Sequence, residues 1–118
     1  MEIKIIKDRI SKDELKLITR EQFGNLIKAV VDVEKEIMAI GGYHHEDERE
    51  LLIKQEGSKF EDLWGINLYP ERAGRDFLEF DSSINLKLSS GSKGVYHPEI
   101  QKKIKNIIEK LVSERIYK

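Results

Sequence analysis

A chain of 118 residues, 39% hydrophobic and 36% charged, is long enough for one domain with its own core, and its ionised fraction exceeds the roughly 25% usual in soluble domains. Its 21 basic and 22 acidic residues leave a formal net charge of −1, which disfavours nucleic acid or an anionic membrane as a partner, since both need a basic field. The absence of cysteine excludes disulfides, zinc–thiolate sites and a cysteine nucleophile.

Residues 2 to 7, EIKIIK, alternate as a first strand with Ile3 and Ile5 on one face. Ser11 follows as an N-cap with Glu14 as its capping-box partner, and Ile10 and Leu15 stand at the positions of a hydrophobic staple. That helix is predicted to reach about Phe23 and to stop at Gly24. Residues 26 to 33 alternate Ile27, Ala29, Val31 and Val33, and residues 36 to 40 follow closely, which predicts a hairpin turning near Glu34 and Lys35. Gly41 and Gly42 end the second strand, and a short helix is expected from about Asp47 to Glu56, closed by Gly57.

In the next strand, DLWGINLYP, Leu63, Asn67 and Tyr69 point one way and Trp64, Ile66 and Leu68 the other, with Pro70 at its end. Residues 76 to 80 and 83 to 88 predict two further strands, followed by the loop SSGSKG. The last helix starts at HPEI with Pro98 in its first turn. It carries the stripe Ile100, Ile104, Ile107, Ile108 and Leu111 opposite the face of Lys102, Lys103, Lys105 and Lys110. The order β-α-β-β-α-β-β-β-α reads as a single α+β domain over residues 1–118, with a mostly antiparallel sheet of five to six strands and about three helices on one face.

No apolar run is long enough to span a bilayer, and MEIKIIKD lacks the apolar core of a signal peptide, so a soluble cytoplasmic protein is expected. Lys and Glu over abundant Ile is a profile of heat-adapted proteins.

The stretches DVEKEIMAIGG, GSKFEDLWGINLYP and FDSSINLKL together resemble the small prokaryotic proteins catalogued as domain of unknown function 5674, over nearly the whole chain. The resemblance implies no activity. Its pattern includes His-x-Asp just after the double glycine, which falls here on His45 and Asp47. It carries a glycine in the hairpin turn where this chain has Glu36, and Arg-Pro where this chain has Lys87 and Leu88. The second departure weighs against bidentate anion binding by an arginine.

The segment YHHEDERE holds the candidate metal ligands His44, His45, Asp47 and Glu48. A helix starting at His44 would put His44, Asp47 and Glu48 on one face, an acceptable set for a divalent metal. No established metal signature has this spacing. The preferred reading is a plain helix start, with Asp47 as N-cap and Glu50 as its partner; a blend of the two has Asp47 capping the helix while His45, held outside it, faces a cleft. Asn67 and Asn85 each occupy the middle of a strand, where asparagine is depleted. They would line one polar pocket beside Glu79 and Asp81, or else lie on the solvent face, which is the preferred reading. Trp64 next to Gly65 reads as core, and the composition of SSGSKG, with Lys93, is only a weak anion-binding signal.

The function expected from these features is a small non-catalytic binding or interaction module, assembling as a homo-oligomer. The alternative is a metal- or carboxylate-dependent enzyme with His45, Asp47, Asn67, Asn85 and Asp81 around a cleft. No cofactor is expected beyond a divalent metal in that alternative. Nucleic-acid binding through Lys87, Lys93 and the last helix is the weakest reading.

Overall fold

The structure, a computed structural model, describes residues 2–80 and 98–113. In chain order the elements are β1 (Lys4–Ile6), β2 (Ile10–Ser11), α1 (Lys12–Glu21), β3 (Ile27–Asp32), β4 (Ile37–Ile40), α2 (His45–Glu56), β5 (Leu63–Leu68), β6 (Leu78–Phe80), α3 (Pro98–Leu111) and β7 (Val112–Ser113), with short 3-10 turns ahead of β5 and β6. Five strands form one antiparallel sheet in the order β1-β4-β3-β5-β6. The α+β class, the helices and these five strands agree with the sequence reading. A small parallel pair, β2 with β7, was not expected; it ties the start of α1 to the end of α3. The strand expected at 83–88, the SSGSKG loop and His97 lie outside the described residues.

The local signals act as the sequence suggests. Ser11 caps α1, its hydroxyl accepting from the Glu14 N–H at 3.1 Å. The Glu14 side chain does not close the capping box but reaches Lys4 on β1 at 2.9 Å. Gly24 takes a left-handed φ of 89° after the helix, and its N–H returns to the Thr19 carbonyl. The β3–β4 turn falls at Glu34 and Lys35 as predicted, and Glu36 keeps a left-handed φ of 59° although it is not a glycine.

One expectation needs correction: the helices do not share a face. The larger core packs Ile27, Ala29, Val31, Met38 and Ile40 against Leu15 of α1 and the Ile104–Leu111 stripe of α3. The opposite face buries Val30, Ala39 and Leu63 under Leu52 of α2. The reason is in the strands themselves. β4 is apolar and buried on both faces, and β3 buries Val30 on its second face as well, as strands covered on each side do. Burying each large aliphatic side chain contributes about 1.5–3 kcal/mol, so both layers are needed.

Candidate functional site

The face of the sheet under α2 changes character along its length. Around Val30 and Ala39 it is apolar, but toward the start of β3 and the end of β5 it becomes polar. The segment that crosses this end is the double glycine after β4. Gly41 has a φ of 93°, and a side chain there would also meet the Glu2 carbonyl oxygen at 3.3 Å. The Gln22 amide donates to the Gly41 carbonyl and holds the turn against the end of α1.

Gly42 is glycine for a different reason. A Cβ there would lie 3.0 Å from Glu48 Cγ and 3.3 Å from Glu48 Oε2. Glu48, in the first turn of α2, is fully buried. Its Oε2 accepts the Gly42 N–H at 2.8 Å, and its Oε1 has no hydrogen-bond partner among the described residues. Burial pushes the carboxyl well above its ordinary range; the Gly42 N–H and the charge of Lys28 pull the other way more weakly, and Asp47 adds to the rise. Gly42→Ala is therefore expected to force Glu48 aside and cost about 1–3 kcal/mol in chemical denaturation. An unchanged midpoint would show that the Glu48 carboxyl has room to move.

The helix start also differs from the sequence reading. α2 begins at His45, not Asp47, and His44 is the N-cap without a side-chain hydrogen bond. Asp47 therefore caps nothing; its N–H joins the first turn by donating to the His44 carbonyl. This register turns His45 and Glu48 inward and leaves His44 and Asp47 exposed. The His45 ring reaches the sheet, with Nε2 2.8 Å from the Ile66 carbonyl oxygen. Since a carbonyl only accepts, Nε2 carries the proton and donates. His44, His45, Asp47 and Glu48 do not assemble as ligands. Among the described residues no three histidine or acidic side chains are placed to hold a metal ion.

Beyond His45 lies a row of polar side chains in register across three strands. Lys28 on β3 is paired with Asn67 on β5, and Asn67 with Glu79 on β6. Asn67 Nδ2 donates to Glu79 Oε1 at 3.0 Å, and the Tyr69 hydroxyl donates to the same oxygen at 2.8 Å. Burial and the Glu79 hydrogen bond raise the Tyr69 phenol, which stays a donor. Asn67 Oδ1 is buried, with no hydrogen-bond partner among the described residues. Within the row, Lys28 Nζ lies 5.5 Å from the Phe23 ring centre, and beside the row Arg72 Cζ lies 4.1 Å from that of Tyr69. Phe23 in turn meets Tyr43 edge to face, with centroids 5.9 Å apart.

Of the residues singled out from the sequence, His45 and Asn67 do come to one face, the His45 ring bonding the residue just before Asn67. Glu79 stands beside Asn67 as that reading required. Asp47 is turned away from them, Asp81 and Asn85 lie outside the described residues, and Trp64 is core. Sequence reasoning missed Lys28 and Tyr69 as members of the row. The signal available was Lys28 as the one polar break in the apolar run LIKAVV.

The family model for a protein of unknown function, DUF5674, matches residues 4–111, and the chain belongs to that family. No curated protein and no solved structure matches it. No helix among the described residues is long and apolar enough to cross a membrane.

Proposed function

We propose that this member of a family of unknown function is a small non-catalytic binding module, and that Lys28, Asn67 and Glu79 make its ligand contacts at the polar end of the sheet. The observation that carries this reading is the row itself. Three polar side chains stand in register on adjacent strands. Two donors, Asn67 Nδ2 and the Tyr69 hydroxyl, fix the Glu79 carboxylate in place. Small-molecule sites set a few precisely placed polar groups among aromatic side chains, and here Lys28 lies against Phe23, which meets Tyr43.

The enzyme alternative draws on His45 and Glu48. His45 is committed to a backbone carbonyl and Glu48 is fully enclosed, so neither offers a reactive group at the surface. Incubating the protein with a metabolite extract, separating it from unbound material and identifying what it retains by mass spectrometry tests the binding reading. Wild type is expected to retain a small molecule unchanged, and the Asn67→Ala, Glu79→Gln double variant to retain about tenfold less, which corresponds to roughly 1.4 kcal/mol. Equal retention by the variant, or turnover of an extract component by wild type, would contradict it.

A further inference from the structure

The register of the sheet fixes which way the backbone groups of its β1 edge point. The Gly41 N–H donates to the Lys28 carbonyl, one step beyond the paired residues of β3 and β4. Lys28 with Gly41 and, two residues along, Val30 with Ala39 are therefore hydrogen-bonded pairs of that ladder. The Val33 N–H donating to the Asp62 carbonyl agrees, since β5 then bonds the odd-numbered residues of this stretch and leaves Val30 to β4. Ala39 thus directs both its backbone groups to β3. Ile5 stands opposite Ala39 on the other side, so its N–H and C=O face away from β4, and those of Ile3 do the same by alternation. Among the described residues no strand lies on that side of β1.

Lysines on an edge normally guard it, because an arriving strand would strand their charge. Here both are already engaged within the chain, Lys4 with Glu14 at 2.9 Å and Lys7 with Glu56 at 3.0 Å. Beside the edge, between β1 and α2, runs a groove of about 550 Å³ lined by Ile3, Ile5 and Leu51 and by Glu2, Gln55 and Glu56, which is acidic and holds no base. Glu2 is exposed and has no ion pair among the described residues. The edge and its groove therefore suit an extended segment that carries branched aliphatic side chains and a positive charge. β1 is itself such a segment, reading IKIIK from Ile3 to Lys7.

We propose that β1 is a self-association edge, at which two copies of this chain pair β1 to β1, antiparallel, about a two-fold axis at Ile5. Each Ile5 donates to and accepts from the other, and the two five-stranded sheets become one. The axis brings the partner's Lys7 alongside Ile3 and next to Glu2, so the acidic end of each groove receives a base. The chain bends at Lys7 and Asp8, which takes Asp8 out of the line and away from the partner's Glu2. The polar row lies across β3, β5 and β6, with β4 between it and this edge, so the pairing does not depend on the binding reading. A ladder this short makes a small interface, and the dimer exchanges with monomer.

Sedimentation velocity of the whole chain from micromolar to millimolar concentration reads the dimer, and amide hydrogen exchange at the two ends of that range reads where it forms. The dimer fraction is expected to rise with concentration, and exchange of the Ile5 amide to slow with it. Ile5→Pro removes the outward donor, which serves no bond within the chain, and is expected to weaken dimerisation about tenfold. Glu2→Lys, at an exposed position, sets a base against the partner's Lys7 and is expected to weaken it about fivefold. A cooperative melting transition checks that each variant folds, and Glu2→Lys decides alone if the proline variant does not. A monomer at every concentration would overturn the proposal, as would a dimer whose Ile5 amide exchanges as fast as in the monomer. Folded variants that dimerise like wild type would overturn it too.

Discussion

Replacing Asp32 with alanine is expected to destabilise the protein by about 3–4 kcal/mol in urea denaturation, the largest loss anticipated for a single polar side chain here. Asp32 ends β3 and is fully buried. Its Oδ1 accepts the N–H groups of Glu34 and Lys35, each at 2.9 Å, and so shapes the β3–β4 turn. Its Oδ2 accepts the Ser58 hydroxyl at 2.6 Å and so fastens the segment that follows α2. One carboxylate thus joins the hairpin to the helix on the second face of the sheet. Alanine would leave two backbone donors and a buried hydroxyl without their acceptor. Asp32→Asn keeps an oxygen for the turn and is expected to lose only about 1 kcal/mol. Part of either loss is offset at Asp62, whose carboxyl is pushed up by burial and by the charges of Asp32, Glu61 and Glu34. Equal stabilities of the alanine variant and wild type would contradict the role given to Asp32.

The second large effect is a dependence on pH. Glu48 in the folded chain holds its proton well above the ordinary value of 4.5, chiefly because it is buried. In the unfolded chain it releases that proton near the ordinary value. The folded state therefore binds more protons between the two values, and stability falls as pH rises through that window. Below it the neutral carboxyl incurs no such loss. Glu48→Gln removes the titration. Its stability relative to wild type is expected to rise with pH above 4.5, by at most about 1.4 kcal/mol per pH unit, and to level off above the folded value. Melting curves of both proteins from mildly acidic to mildly basic pH check this. Parallel profiles would show that Glu48 is solvated and not enclosed.

These two residues also mark where the sequence was readable and where it was not. Ser11, Gly24, Gly57 and Pro98 punctuate the helices where their chemistry says they should, because caps and breakers act through their own backbone neighbours. The inward stripe of α2 is another matter. It runs His45, Glu48, Leu52, so two of its three buried positions are polar, and the apolar periodicity that locates a helix face is missing. The start of that helix was placed two residues late for the same reason. Asp47 looked like a cap, while the true N-cap, His44, carries no capping bond.

The second layer was hidden in β3, read as simple alternation of Ile27, Ala29, Val31 and Val33, although Val30 and, on β4, Ala39 pack on the other face under α2. Asp32 was passed over as a strand residue, although an aspartate just ahead of a turn is the residue type that bonds backbone N–H groups two and three positions on. The polar row was half legible. Asn67 was conspicuous as an amide in mid-strand, but its neighbours Lys28 and Glu79 come from strands 39 and 12 positions away along the chain, and only the register brings them together. The double glycine was visible as a motif. Its physical content was not, because Gly41 serves a left-handed turn whereas Gly42 makes room for a side chain six residues later.

The most direct test of the central idea, that this protein binds through the polar end of its sheet, is a crystal structure of the protein still carrying the molecule it retains from a metabolite extract. The account predicts that molecule within hydrogen-bonding distance of Asn67 and Lys28, beside Tyr43. A molecule bound elsewhere, with Lys28, Asn67 and Glu79 making no contact to it, would contradict the account.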